Sequence, residues 1–487
     1  MEKIVLECSS LSNKISIDLS NLDFPFLTNI SYIFSNCSLE EIKISNFNAN
    51  NLTNMSYMFD SCKIKKIILS KFNVSNLTNM SYMFNYCYSL KSIKISNFNN
   101  KYSIDISNMF RGCYLLKSIN LSFFENSIIS NMSHLFSDCY SLISVNFPNL
   151  DTKNLNNISY MFNKCKCLKS VDLSKFKTNN ITDMSYLFYK CESLKSIDIS
   201  NFNTNKVINM QNMFSGCKSL RSIVLPNSDA NSLNDMSYMF NRCKSLISLD
   251  LSNFIINKVV NMSYLFNKCE SILSLDLSNF NTSEVIDMSF MFSECTLIKS
   301  INLRNFNTSK VTNMRYMFNY CKSLKSIDLT AFDIRNANML FMFSFCLSLK
   351  ELDLSKFYIE DIIKMLYMFN CCKSLELIKL KNVDLENRNL NDLIFRNISG
   401  DCKIICGDKI RLKKELVKND IFDYNNKILL YNYYKKMRIM KKIIGEEREK
   451  RKCSYFPYLK SKIFLILFFI IVLLLGARAG KTTLIYK

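Results

Sequence analysis

The chain has 487 residues and a formal net charge of +22, with 48% hydrophobic residues, seven Gly, four Pro and no Trp. That apolar content excludes a disordered chain, and so few turn-formers mean the corners must be made by a repeated device that needs neither Gly nor Pro. The single histidine, His134, argues against a His-based catalytic or metal centre.

Residues 1–27 read as an N-terminal cap. They open M-E-K-I-V-L-E-C-S-S, with acids at positions 2 and 7 and no basic start leading into an apolar run. No secretory signal peptide is therefore expected. Asn-x-Ser/Thr sequons recur downstream, for example at Asn54, Asn79, Asn131 and Asn261. Glycans at that density would crowd neighbouring repeats. Both features point to a reducing, intracellular setting and to free thiols.

From residue 28 to about 395 one pattern repeats. A Phe followed three residues later by a Cys occurs at fourteen places, from Cys37 through Cys191 to Cys372, at steps of 25 or 26 residues. Counting from Cys191, the apolar positions are Leu194, Ile197, Ile199, Phe202, Val207, Met210, Met213 and Phe214, before Cys217. The I-x-I alternation is the period-two mark of a short strand with one buried face. N-T-N-K-V follows as a polar corner, and N-M-Q-N-M-F has the near-helical spacing of a short return turn. One such unit cannot bury its own apolar face, whereas a stack of them can. The predicted fold class is an α/β-type solenoid of about fourteen 25–26-residue coils with a parallel sheet on one face.

The copies D-M-S-Y-L-F-Y-K-C-E-S-L-K-S-I-D-I-S-N-F-N-T (183–204) and N-M-R-Y-M-F-N-Y-C-K-S-L-K-S-I-D-L-T-A-F (313–332) resemble BspA-like leucine-rich repeats, and the resemblance covers residues 28–395. It implies a parallel-sheet solenoid and a role in adhesion or protein binding, as in bacterial and protist surface proteins.

Stacked strands lie about 4.8 Å apart, so fourteen coils give a face on the order of 65 Å long. Its outward columns can be read directly. Serines at 92, 118, 144, 170, 196, 222, 248, 274, 300 and 326 precede the central position, which carries Asp172, Asp198, Asp250, Asp276, Asp328 and Asp353. Just upstream run Lys91, Lys117, Lys169, Lys195, Arg221, Lys299, Lys325 and Lys350. The candidate binding face is Ser170, Asp172, Ser196, Asp198, Ser248, Asp250, Ser274, Asp276, Ser326 and Asp328, a polar groove for an extended partner. The plainer reading is that a solvated strand face needs small polar residues. Tyrosines such as Tyr57, Tyr186 and Tyr238 recur in the return turn and suit an aromatic ladder on an edge or the convex face.

Equivalent cysteines project in parallel, which disfavours disulfide geometry. Buried free thiols are expected, at an inward corner where a small, weakly polar group fits. Cys371–Cys372 and the Cys402/Cys406 pair break the column without completing a zinc site. No catalytic residue, metal or cofactor is expected.

Beyond the repeats, residues 401–487 carry 21 Lys or Arg against 8 Asp or Glu, a net of +13. Residues 396–462 read as a C-terminal cap and basic helical linker. From Ile463 to Leu475 there are thirteen unbroken apolar residues, extended to 477 by Gly476 and Ala477, with a basic tail over 478–487. One reading is a membrane anchor, slightly short of the usual span and completed by snorkelling lysines, with the repeats cytoplasmic by the positive-inside bias. The basic stretch would then attract anionic lipid. The other uses L-L-L-G-A-R-A-G-K-T-T-L-I-Y-K (473–487), which is similar to the first strand and phosphate loop of Arf-like small GTPases. That resemblance implies Gly476 and Gly480 in the loop, Lys481 on phosphate and Thr482 on Mg²⁺, in a module truncated just after its phosphate loop. Three functional expectations follow: a non-enzymatic protein-binding scaffold, tail-anchored inside the cell; a leucine-rich-repeat/GTPase fusion; or a cell-surface adhesin. The protein partner is not identified by the sequence, and nucleic acid is not expected.

Overall fold

The computed structural model describes residues 16–18 and 26–416, apart from 39, 46–48, 71–73, 97, 99, 227–229, 336, 360, 382, 384–387 and 408. The chain divides into two units, residues 1–419 and 420–487, and the residues described belong to the first.

One coil shows how the others are built. Asp183 Oδ1 accepts the N–H of Ser185 at 2.8 Å, an Asx turn that starts the return stretch. The residues that follow alternate two kinds of backbone hydrogen bond. The N–H groups of Met184, Tyr186, Phe188 and Lys190 donate to Asn209, Gln211, Met213 and Ser215 of the next coil at 2.7–3.0 Å. Those of Leu187, Tyr189 and Cys191 instead donate three residues back, to Met184, Tyr186 and Phe188. The alternation uses left-handed backbone at Tyr186 and Lys190, each at φ 57°. Every coil repeats this pair, from Tyr32 and Asn36 to Tyr367 and Cys371. A non-Gly residue in that region costs on the order of 1–2 kcal/mol. Four inter-coil hydrogen bonds per coil, each a net ~0.5–1.5 kcal/mol, offset it. This is the corner device that replaces Gly and Pro.

The return stretch is therefore a stack of turns. Among the described residues α-helix is confined to Arg388–Ile394 and Lys413–Leu416.

After Cys191 the chain enters Ser196–Asp198, a strand with an exposed–buried–exposed pattern that turns Ile197 inward. Equivalent strands lie at Ser118–Asn120, Ser144–Asn146, Ser222–Val224, Ser274–Asp276 and Ser300–Asn302. Pairing is parallel and one coil out of step in sequence, as in Ser222 with Ser196 and Ile223 with Ile197. Longer strands at Glu41–Ser45, Lys66–Ser70 and Ser92–Ser96 join Ser16–Asp18 in a four-stranded parallel sheet, so the sheet reaches into the first 27 residues. At the other end, Glu351–Leu354, Leu377–Leu380 and Lys403–Cys406 continue the parallel order. Lys409–Leu412 then pairs antiparallel with Lys403–Cys406, a reversal that ends the progression.

The interior is a set of columns running from coil to coil. Phenylalanine rings stack without a break from Phe34 to Phe395, at centroid spacings of 5.2–6.4 Å. Each buried ring is worth roughly 1.5–3 kcal/mol in burial alone, so this column is a principal term binding coil to coil. Beside it lie the buried cysteines, all free thiols. Cys191 Sγ donates to the carbonyl of Phe162 in the preceding coil at 3.1 Å, and Cys62 and Cys372 do the same to Phe34 and Phe343. Burial pushes the Cys191 thiol well above the usual range. The cysteine column is packing, as its parallel projection implied.

The expected aromatic ladder exists on the return stretch. Tyr32, Tyr57 and Tyr82 stack at 4.4–4.6 Å, and a longer run joins Tyr238, Tyr264, Phe290, Tyr316, Phe341 and Tyr367. Asn108 and Asn212 interrupt it, and in those same coils glycine takes the second left-handed position. At Gly112 the need is steric as well as conformational, since a Cβ there would meet the Tyr86 ring at 2.5 Å.

Candidate functional site on the exposed strand face

Each short strand buries its central residue, Ile197 or Leu275, and turns its two neighbours outward, so the aspartates expected at the centre instead follow it and the coil period converts sequence positions into columns. Ser170, Ser196, Ser248, Ser274 and Ser326 are exposed in one column, and Asp172, Asp198, Asp250, Asp276 and Asp328 in the other. Ser196–Asp198 and Ser274–Asp276 lie in strands, whereas 170–172, 248–250 and 326–328 do not.

The aspartates have a local task that the column pattern did not reveal. Asp172, Asp198, Asp250 and Asp276 each accept, through Oδ1, the N–H of the serine two residues on at 2.8–3.0 Å, and Asp328 accepts that of Thr330 at 2.9 Å. These bonds close the turn that ends each strand. Together with hydrogen bonds from the hydroxyls of the same Ser or Thr, which are the larger cause at Asp172, Asp198 and Asp328, they hold the five carboxyls below the usual carboxylate value, so the column stays anionic at neutral pH. The readable signal was the recurring D-x-S or D-x-T.

The sequons have the same explanation. Asn54 and Asn79 accept the N–H of Ser56 and Ser81 at 2.9 Å, and Asn131 and Asn261 that of Ser133 and Ser263 at 3.0 Å. Asp takes the identical role at 105, 183, 235 and 287. The N-x-S spelling follows from turn geometry.

Upstream of the serines, the basic column is fixed by backbone bonds from coil to coil. Lys169 N–H donates to the carbonyl of Ile143, Arg221 to Lys195, Leu273 to Ile247 and Lys299 to Leu273, at 2.8–3.3 Å. Some lysines elsewhere face a carboxylate one coil away, as in Lys218–Glu192 at 2.8 Å, Lys244–Glu270 at 2.6 Å, Lys310–Glu284 at 2.6 Å and the contact of Lys268 with Glu294. In the basic column only Lys350 has such a partner among the described residues, Glu376 at 3.5 Å.

His134 is not part of this face. It occupies a tyrosine position of the return ladder, stacked on Tyr160 at 4.4 Å, and burial followed by the Arg111 charge lowers its pKa to about 4. Among the described residues no three His, Cys, Asp or Glu side chains gather as a metal site requires, and no helix is long and apolar enough to cross a membrane. The apolar segment 463–477 and the phosphate-loop residues Gly476, Gly480, Lys481 and Thr482 lie outside the described residues.

A family model described as "Mycoplasma protein of unknown function, DUF285" matches residues 1–123, 104–227, 223–301 and 296–400. No curated protein matches the chain. Similar solved structures include a leucine rich cell surface protein from Faecalibacterium prausnitzii, 16% identical over 81% of this chain and 86% of that one, with a TM-score of 0.36. An internalin from Listeria monocytogenes is 16% identical over 74% and 86%, with a TM-score of 0.24. A leucine-rich repeat protein from Eubacterium ventriosum is 16% identical over 65% and 72%, with a TM-score of 0.23.

Proposed function

The chain belongs to the family described as Mycoplasma protein of unknown function, DUF285, and from that premise we propose that it is a non-enzymatic solenoid that binds another polypeptide along its exposed strand face. One observation carries the reading. The outward columns of small serines and charged residues run in register through coil after coil and lie outside the buried core. A face of this kind is polar and extended, and it suits an elongated partner better than a small molecule.

A steric block tests the proposal. Ser196→Tyr, Ser248→Tyr and Ser274→Tyr, combined in the full chain, place bulk on exposed positions without touching the core. Affinity capture with the wild-type chain should retain a discrete protein that this variant loses, with unchanged far-UV circular dichroism. Equal retention by both would contradict the proposal.

A further inference from the structure

Resting on the reading above, we infer that the strand face recognises an extended polypeptide segment of acidic–apolar–acidic character. The basic column is not uniform. Lys169, Lys195 and Arg221 occupy three successive coils, Ile247 and Leu273 the next two, and Lys299 and Lys325 the two after that. All are exposed, including Ile247 at 50% and Leu273 at 42%. None of the five cations has a carboxylate within ion-pair distance among the described residues, in contrast to Lys218, Lys244, Lys268 and Lys310. Like charges repeated at the strand spacing of about 4.8 Å repel one another, and an acidic ligand relieves that repulsion.

Two flanking cation runs and a central apolar pair define the ligand's pattern. The seven coils span about 29 Å, the length of roughly nine residues of extended chain.

The aspartate column lies three residues along each coil, about 10 Å from the cations. A carboxylate held about 5 Å above a cation therefore feels an attraction about twice the repulsion from the nearest aspartate, before screening over about 8 Å weakens the longer term further. This favours a single narrow strand over the cations. A nucleic acid is wider, would lie over the aspartates too, and would find no exposed aromatic ring in these columns on which to stack.

The test uses fluorescence anisotropy with the full chain and three labelled ten-residue peptides: Glu-rich ends around Leu-Leu, the same with Lys for Glu, and the acidic peptide with Ser-Ser at its centre. A ten-nucleotide oligouridylate is the fourth probe. The acidic–apolar–acidic peptide should bind tightest. Lys169→Gln/Lys195→Gln/Arg221→Gln should weaken it about tenfold, while Lys218→Gln/Lys244→Gln/Lys310→Gln, which removes equal charge from paired lysines, should change it less than about twofold. Ile247→Ser/Leu273→Ser should reduce its advantage over the Ser-centred peptide. Equal weakening by the two triple variants would reduce the binding to net charge and overturn the inference. So would equal affinity for oligouridylate, or absence of peptide binding. If the peptides fail while the tyrosine block still abolishes capture of a partner, the strand face stands and only this ligand chemistry falls.

Discussion

His134 shows how closely one residue must answer to its column. It replaces tyrosine in a stacked ladder, and its imidazole is held neutral there, with a pKa of about 4 against 6.5 in an ordinary environment. A base whose folded pKa is depressed contributes stability above its unfolded pKa and loses it as pH falls. The loss runs from about pH 6.5 down towards pH 4 and amounts to at most ~3 kcal/mol. His134→Tyr restores the ring common at this position and should flatten denaturant midpoints across that window. A variant that keeps the wild-type pH slope would remove His134 as its source. Asp60 also carries a half-buried carboxyl, raised by burial, so the comparison must be between the two proteins and not against a flat line.

At the scale of the coil, the cysteine column makes an experimental claim. Cys191 and its equivalents are buried, and from Cys62 to Cys372 their Sγ atoms donate to a phenylalanine carbonyl, while Cys167 is exposed. Because the thiolate is the reactive form, a neutral iodoacetamide pulse on the native chain should label Cys167 and spare the fourteen column cysteines. Peptide mapping after the pulse reads this directly, and labelling across the column before unfolding would contradict the packing role.

The coil's length, strand and inward residues were readable beforehand, because Phe-x-x-Cys and I-x-I fix period and face. The return stretch was not. Its left-handed positions are held by Tyr, Lys, Glu, Phe and Asp as well as by Asn and Gly, so no residue type announces them. Near-helical spacing of Met and Phe described a stack of turns whose hydrogen bonds cross between coils. The aspartates were legible as a column on the candidate face, yet their strand-ending role was hidden in a serine or threonine two places away.

Across the whole molecule, thirteen coil-to-coil intervals separate Cys37 from Cys372, and the same interactions recur at each. Stability in such a stack is approximately a sum over neighbouring interfaces, which frees the outward columns to vary without loss of fold. The departures that matter for binding are therefore on the surface: cations in register along one column with no carboxylate beside them, and Ile247 and Leu273 where lysine is common. The central claim is that a partner approaches this strand face and not the return stretch. A photocrosslinking amino acid placed at Ser248 on the face, and separately at exposed Asn234 on the return side, tests it in cells expressing the full chain. The face position should yield a discrete higher-mass adduct and the return position none; an adduct from Asn234 alone, or equal yield from both, would contradict it.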